Sequence, residues 1–357
     1  MVTTPDLPMV RFPRPLRQGD LIAVTAPSSG VAGAALERLD LVLQHLRHQG
    51  FRVIEGRCLR QDHLSVSAPR EERAAELWQF LQDPEVAAIF PPWGGELATE
   101  ILELLDFDAL VSATPKWLLG YSDLSTIQLP LTLLSGWATA HGCSLMDLAP
   151  TQTDPLTGAV MRVLSSDFTS PVLQRSASRY QKQWIDFAVQ VDVPFNLTHK
   201  VEWKRLDGST APLDFAGHLL GGCLDTISWL SGTRYGDVPS FVRRCGDRGA
   251  IVYLENVEMA PPALVRCLLS LRRQGWLDGL SGLMLGRSAA PDPESTTQMG
   301  YEQALRAVLG DLAFPVLYDV DIGHQPPQFT LINGAFANVS FEDGGGAMVQ
   351  SAVAPSV

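Results

Sequence analysis

The N-terminal half of the chain alternates short apolar runs with helix-period segments, and this alternation constrains the fold more than any other feature. Leu21-Ile22-Ala23-Val24 is an apolar run ending at Ala26-Pro27-Ser28-Ser29-Gly30, which reads as a strand entering a turn. From Ala34 to His48, Leu36, Leu39, Leu43 and Leu46 fall at helical spacing, and Gly50 stops the run. The pattern then repeats: strand Phe51 to Ile54, helix Arg70 to Leu81, strand Val86 to Phe90, helix Leu97 to Leu105. A fourth strand at Trp117 to Tyr121, a helix at Leu124 to Leu134 and a fifth strand at Trp137 to Ala140 complete it. Strands separated by helices require right-handed crossovers and a parallel sheet. The expected fold is therefore α/β, with a flavodoxin- or Rossmann-like three-layer domain over residues 1–165.

The periodicity breaks down over residues 166–214, where polar residues mix with Tyr180, Trp184, Phe187, Phe195 and Trp203. A connection of this length reads as a linker and substrate loop. A smaller mixed α/β domain is expected over residues 215–357. Its elements are a helical stretch from Cys223 to Leu230, a strand from Ala250 to Leu254 and a helix from Ala263 to Arg273. Further strands are expected at Leu283 to Leu285, Val316 to Val320 and Ala337 to Phe341. The tail after Asp343, with three consecutive glycines, is expected to be loose.

Composition narrows the function classes. With 46% hydrophobic and 18% charged residues, the 357-residue chain has the make-up of a packed globular protein. Its net charge is -12 and its 27 Lys and Arg residues are scattered, which disfavours nucleic-acid polymers and anionic membrane surfaces as partners. No segment reads as a signal peptide, and none approaches the ~20 apolar residues of a membrane span. Cys58, Cys143, Cys223, Cys245 and Cys267 are far apart and odd in number, so free thiols and a cytoplasmic location are expected. No histidine-carboxylate cluster has metal-ligand spacing, and neither G-x-G-x-x-G nor a Walker lysine occurs, so neither a metal-binding motif nor a nucleotide fingerprint is read.

Several residues are placed for chemistry. In Gly120-Tyr121-Ser122-Asp123, a serine sits where a buried strand ends and a helix begins, the edge at which ligands bind in such sheets. There a hydroxyl can project into a cleft while the Asp123 amide points at a developing oxyanion; alternatively Ser122 only caps the helix. Trp93-Gly94-Gly95 follows another strand, and its glycines suit either close backbone approach to a ligand or an ordinary tight turn. Among seven histidines, His324 stands on a rigid mount in Gly323-His324-Gln325-Pro326-Pro327, and His141 follows a strand at the same sheet edge. Glu255 finishes the strand Ile251-Val252-Tyr253-Leu254, where an imidazolium would suit a buried carboxylate; a salt bridge is the plainer reading, and Glu258 competes.

The order of these motifs is informative. Gly94-Gly95, Gly120-Tyr121-Ser122-Asp123, Gly217-His218-Leu219-Leu220-Gly221-Gly222-Cys223-Leu224-Asp225, Tyr253-Leu254-Glu255 and Gly323-His324 run through nearly the whole chain. In this the chain resembles the LD-carboxypeptidase family of serine peptidases, and within it the branch containing the microcin C self-immunity peptidase. The resemblance implies a triad in which Ser122 attacks, His324 shuttles the proton and Glu255 orients His324. It also implies an oxyanion hole of the Gly95 and Asp123 amides, no cofactor and a homodimer. Two departures fall outside the triad positions: Thr330-Leu331-Ile332-Asn333-Gly334 replaces the family's Thr-Leu-Pro-Ile-Gly, and His218 precedes the Gly-Gly turn.

Three functions follow. One is hydrolysis of an amide in a small aminoacyl or peptidyl conjugate such as an aminoacyl-nucleotide, with Trp93 and Gly94 at the substrate, Trp184 or Trp203 stacking on a base, and Lys200 and Lys204 as counter-charges. Another is removal of a terminal D-alanine from a murein tetrapeptide, whose carboxylate calls for an arginine such as Arg234 or Arg287. The third is non-enzymatic small-molecule binding on the same scaffold.

Overall fold

The structure is a computed structural model that describes residues 10–149, 152–184, 190–291, 293 and 295–352. Its first sheet contains β1 (Leu21–Val24), β2 (Arg52–Glu55), β3 (Val86–Ile89), β4 (Trp117–Gly120) and β5 (Ala140–His141). They lie in the order β2-β1-β3-β4-β5, all parallel, which is the flavodoxin-like order. Helices α1 (Ala35–His48), α2 (Arg70–Gln82) and α3 (Ser125–Ser135) make the crossovers. Helix α1 buries Leu39, Val42, Leu43 and Leu46, the stripe that its leucine spacing predicts. Gly50, at φ +92°, then turns the chain into β2. The stretch expected as a helix over Leu97 to Leu105 is instead a 3₁₀ helix, Ala98–Leu104. The expected fifth strand begins later, at Ala140, with Trp137 making only an isolated bridge to Arg11.

The second sheet is the wider of the two, although the sequence predicts the smaller domain there. It is built from β6 (Val172–Arg175), β9 (Lys204–Arg205), β10 (Leu213–Cys223), β11 (Ala250–Glu255), β12 (Gly282–Gly286), β13 (Val316–Val320), β15 (Phe336–Glu342) and β16 (Gly345–Ser351). Their order is β6-β16-β15-β10-β11-β12-β13-β9, with β10 to β13 parallel. The segment over residues 166–214 therefore supplies both edge strands, besides a small hairpin of β7 (Arg179–Tyr180) and β8 (His199–Lys200). Of the tail expected to be loose, Gly345–Ser351 is β16, paired along its length with β15, and residues 353–357 lie outside the described residues; Gly344, at φ +73°, serves the hairpin turn.

Strand β11 is buried on both faces. Val252 and Leu254 join a core with Leu264, Leu268 and Leu271 of the helix Pro261–Arg273, while Ile251 and Tyr253 face Leu219, Met284 and Phe329. The first of these cores also holds Ile127 and Leu131 of α3 and Leu220 of β10, so one apolar cluster spans both sheets. The two-residue strand β14 (Leu331–Ile332) pairs antiparallel with β5, and Asn333 donates from its backbone to Thr139 O at 2.9 Å. These contacts face the carboxyl ends of β3, β4 and β5 toward those of β10 and β11. Among the described residues no helix is long and apolar enough to cross a membrane.

Candidate active site

At the end of β4, Tyr121 is extended and Ser122 takes φ +62°, a left-handed conformation uncommon for a residue with a Cβ. Ser122 opens a short 3₁₀ turn, Ser122–Leu124, that runs into α3, so its side chain stands at the strand-to-helix corner. Gly94 lies directly against it. A Cβ on Gly94 would meet Ser122 Cβ at 2.7 Å and Asp123 N at 2.9 Å, so only glycine lets the two turns touch.

The buried carboxylate of Asp123 holds these turns together. Its Oδ2 accepts from Ser28 Oγ at 2.6 Å and from the Ala98 amide at 2.7 Å, and its Oδ1 accepts from Thr126 Oγ1 at 3.1 Å. One side chain thus ties the ends of β1, β3 and β4. Ser29 donates its amide to Gly94 O at 3.2 Å, and Trp93 Nε1 donates to Gly30 O at 3.2 Å. Trp93 is half-buried and fixes the glycine turn from the β1 side.

Glu255 closes β11 and is 1% exposed. Its Oε2 lies 2.7 Å from His324 Nδ1. Burial opposes ionisation of Glu255, but the charge and hydrogen bond of His324, aided by His141, outweigh it and hold the carboxyl below its ordinary value. Burial likewise disfavours the His324 imidazolium, and the Glu255 carboxylate overcomes this, raising the imidazole above 6.5. Gly323, at φ +93°, allows the approach, since a Cβ there would meet Glu255 Cβ at 2.7 Å. The ring of Tyr121, next to Ser122, lies 4.7 Å from the His324 ring, centroid to centroid, which brings the β4 corner and the β11 pair into one cleft.

Arg287, one of the two arginines named as candidates for a substrate carboxylate, does other work. Its buried guanidinium donates to Gln325 O at 2.7 and 3.1 Å, to Pro327 O at 2.8 Å and to Asp321 Oδ1 at 3.0 Å. It is the anchor of the loop that carries His324. Arg234 pairs at the surface with Asp108. The sequence offers a signal for Arg287 only in hindsight, as a cation directly after the apolar run of β12.

Trp203 is a correction. It is 1% exposed, donates Nε1 to Asp321 Oδ2 at 2.7 Å and packs edge-on against Phe329, so it is a core residue with no face for a ligand. Trp184 is 45% exposed, and its Nε1 donates to His324 O at 3.2 Å. Phe187 lies outside the described residues. Lys204 pairs with Asp319 at 3.0 Å. It lines, with Lys182, Lys200, Tyr180, Arg287 and Gln325, a cavity of about 480 Å³ that reaches the residue after His324. His218 is a buried structural group whose Nδ1 lies 3.0 Å from Gly334 O. Among the described residues no group of three or more His, Cys, Asp or Glu side chains is arranged to hold a metal ion.

Residues 22–142 match the LD-carboxypeptidase N-terminal domain, and residues 216–339 match the LD-carboxypeptidase C-terminal domain. The chain is 23% identical over 333 residues to the microcin C7 self-immunity protein MccF of Escherichia coli, covering 92% of this chain and 93% of that one. It is 25% identical over 305 residues to the murein tetrapeptide carboxypeptidase of Pseudomonas aeruginosa, covering 85% and 87%. The solved structure of MccF in complex with aspartyl sulfamoyl adenosine superposes with a TM-score of 0.80 at 21% identity, over 96% of this chain and 99% of that one. With both domain families matched in order over a shared two-sheet fold, the chain belongs to the LD-carboxypeptidase family of serine peptidases.

Proposed function

We propose that the chain hydrolyses an amide in small aminoacyl or peptidyl conjugates, with Ser122 as nucleophile, His324 as base and Glu255 as its orienting carboxylate. The observation that carries this reading is the buried Glu255–His324 pair, 2.7 Å apart, in the cleft where Ser122 stands at a left-handed strand-to-helix corner. His324, donating Nδ1–H to Glu255, has Nε2 free to take the Ser122 proton as Oγ attacks the carbonyl carbon. The tetrahedral oxyanion then forms beside the backbone amides of Gly95 and Asp123, near the amino end of α3. Collapse expels the amine, which takes the proton from His324 and leaves an ester on Ser122. Water, deprotonated by the same imidazole, cleaves that ester and restores the hydroxyl.

For the substrate, the exposed Trp184 ring beside His324 favours a conjugate with an aromatic base. The murein reading calls for an arginine at a terminal carboxylate, and both Arg234 and Arg287 are engaged elsewhere. The relatives support either substrate, since one is named for microcin self-immunity and another for murein tetrapeptide.

The test is hydrolysis of aspartyl sulfamoyl adenosine and of a murein tetrapeptide, followed by mass spectrometry, with wild type and Ser122→Ala in parallel. Cleavage of the adenosine compound alone, lost in Ser122→Ala, is the expected result. Cleavage of the tetrapeptide alone would move the protein to cell-wall recycling, and equal behaviour of wild type and variant would remove Ser122 as nucleophile.

A further inference from the structure

Two buried polar atoms beside the His324–Glu255 pair have no hydrogen-bond partner among the described residues: Glu255 Oε1 and His141 Nε2. One is an acceptor on a carboxylate held ionised, and the other is a ring nitrogen on a side chain that is 0% exposed. An unpartnered buried polar atom is costly, and a buried donor and acceptor in one enclosure relieve each other.

The remaining contacts of His141 decide which nitrogen carries its proton. Ser125 Oγ accepts from the Cys223 amide at 3.0 Å and lies 3.5 Å from His141 Nδ1. The Ser125 hydroxyl accepts on one lone pair and keeps its proton; donated to Nδ1, that proton places the hydrogen of the neutral ring on Nε2, the tautomer the bridge to Glu255 requires. The ring is neutral because burial pulls it down to about 4, against the opposing field of Glu255. Its other neighbours leave Nε2 without an alternative. The Tyr253 ring lies 5.2 Å away with its hydroxyl donating to Asn333 Oδ1 at 2.8 Å, and the Tyr121 ring lies 6.4 Å away. The charged groups acting on this pocket are Glu255 and His324, with Asp147 and Asp225 acting on His324.

We propose that His141 is a positioning residue of the hydrolase: a neutral Nε2–H donor, bridged by one water molecule, to the Glu255 oxygen that His324 leaves free. The chain of contacts then runs Cys223 N–H, Ser125 Oγ–H, His141, Glu255, His324, and it links β10, α3, β5 and β11 to the base. It fixes the carboxylate in the orientation that aims Nδ1–H of His324. It also keeps the carboxylate from becoming a stronger base, which would hold the imidazole proton too tightly.

This inference rests on the triad reading, and its test separates the two. Ser122 is labelled with a fluorophosphonate probe across a pH series, and the labelling rate is read for wild type, His141→Leu, His141→Gln and Glu255→Gln. His141→Leu is expected to slow labelling by about 10-fold to about 100-fold, as for loss of one hydrogen bond to a charged group. Its acid limb is expected to move to higher pH, because a carboxylate short of a donor raises the imidazole further. His141→Gln, which keeps a donor, recovers most of both. If His141→Leu and His141→Gln slow labelling alike with the acid limb unmoved, His141 only packs, and the proposal is overturned. If Glu255→Gln is also without effect, the triad reading itself fails. Nitrogen-15 NMR of the wild-type His141 ring gives a check free of folding effects: the Nε2–H tautomer is required, and an Nδ1–H tautomer overturns the proposal.

Discussion

Replacing Arg287 by Met removes a buried side chain that fastens the His324 loop. The guanidinium makes four hydrogen bonds, three to the carbonyls of Gln325 and Pro327 and one to Asp321, and Asp321 is 0% exposed. Breaking a buried ion pair on one side leaves the partner charge uncompensated and costs about 3–5 kcal/mol. The cost depends on pH in a definite sense. Burial already holds the Asp321 carboxyl above its ordinary 3.8 despite the opposing charge of Arg287, so the native state binds the proton more readily than the unfolded chain. Stability from this group therefore falls as pH rises above the ordinary value, and removing Arg287 raises the native pKa and extends the fall to higher pH. Urea unfolding of wild type and Arg287→Met at about pH 5 and about pH 8 is expected to show the larger loss at the higher pH. Arg287→Met/Asp321→Asn, which removes the stranded charge, is expected to recover most of the difference. A loss that is equal at both pH values, or one that the double variant leaves intact, would refute the reasoning.

Four further expectations concern the cleft and the core beside it. Gly323→Ala places a Cβ against Glu255 at a backbone with φ +93°; the left-handed conformation alone costs about 1–2 kcal/mol, and probe labelling of Ser122 is expected to fall sharply while the protein still unfolds cooperatively. Trp203→Phe removes the hydrogen bond to Asp321 and is expected to cost about 1.5–3 kcal/mol in urea unfolding with no change in Michaelis constant, whereas Trp184→Ala is expected to raise the constant for base-bearing conjugates with little loss of stability. The base must be neutral to act and His324 is raised above 6.5 by Glu255, so the acid limb of the labelling rate is expected above that value and to move down in Glu255→Gln.

The parts of the fold that the sequence makes legible are those whose apolar pattern has one reading. Leu36, Leu39, Leu43 and Leu46 predict α1, and the unbroken runs of β1, β3, β4 and β11 predict buried parallel strands. Strand β10 hides because Gly217, His218, Gly221 and Gly222 interrupt it; the glycines are there for close packing, since a Cβ on Gly222 would meet Ser125 Cβ at 2.7 Å. Strand β16 hides behind Gly344-Gly345-Gly346, where composition signals looseness but pairing with β15 decides the outcome. At the site, Glu255 and His324 stand at the ends of legible strands, so their pairing follows from placing both at the carboxyl edge of one sheet. Trp203 misleads because a local window shows polar neighbours, whereas its burial comes from Asp321 and Phe329, more than a hundred residues away in sequence.

The central claim is that Ser122 is the nucleophile and that the Glu255–His324 pair drives it. The most direct measurement is intact-mass and peptide mapping of protein treated with a fluorophosphonate, for wild type, Ser122→Ala, His324→Ala and Glu255→Gln. A single adduct on the peptide containing Ser122 is predicted for wild type, none for Ser122→Ala, and strongly slowed labelling for the other two. An adduct on another serine, or labelling of Ser122 at an unchanged rate in His324→Ala, would contradict the account.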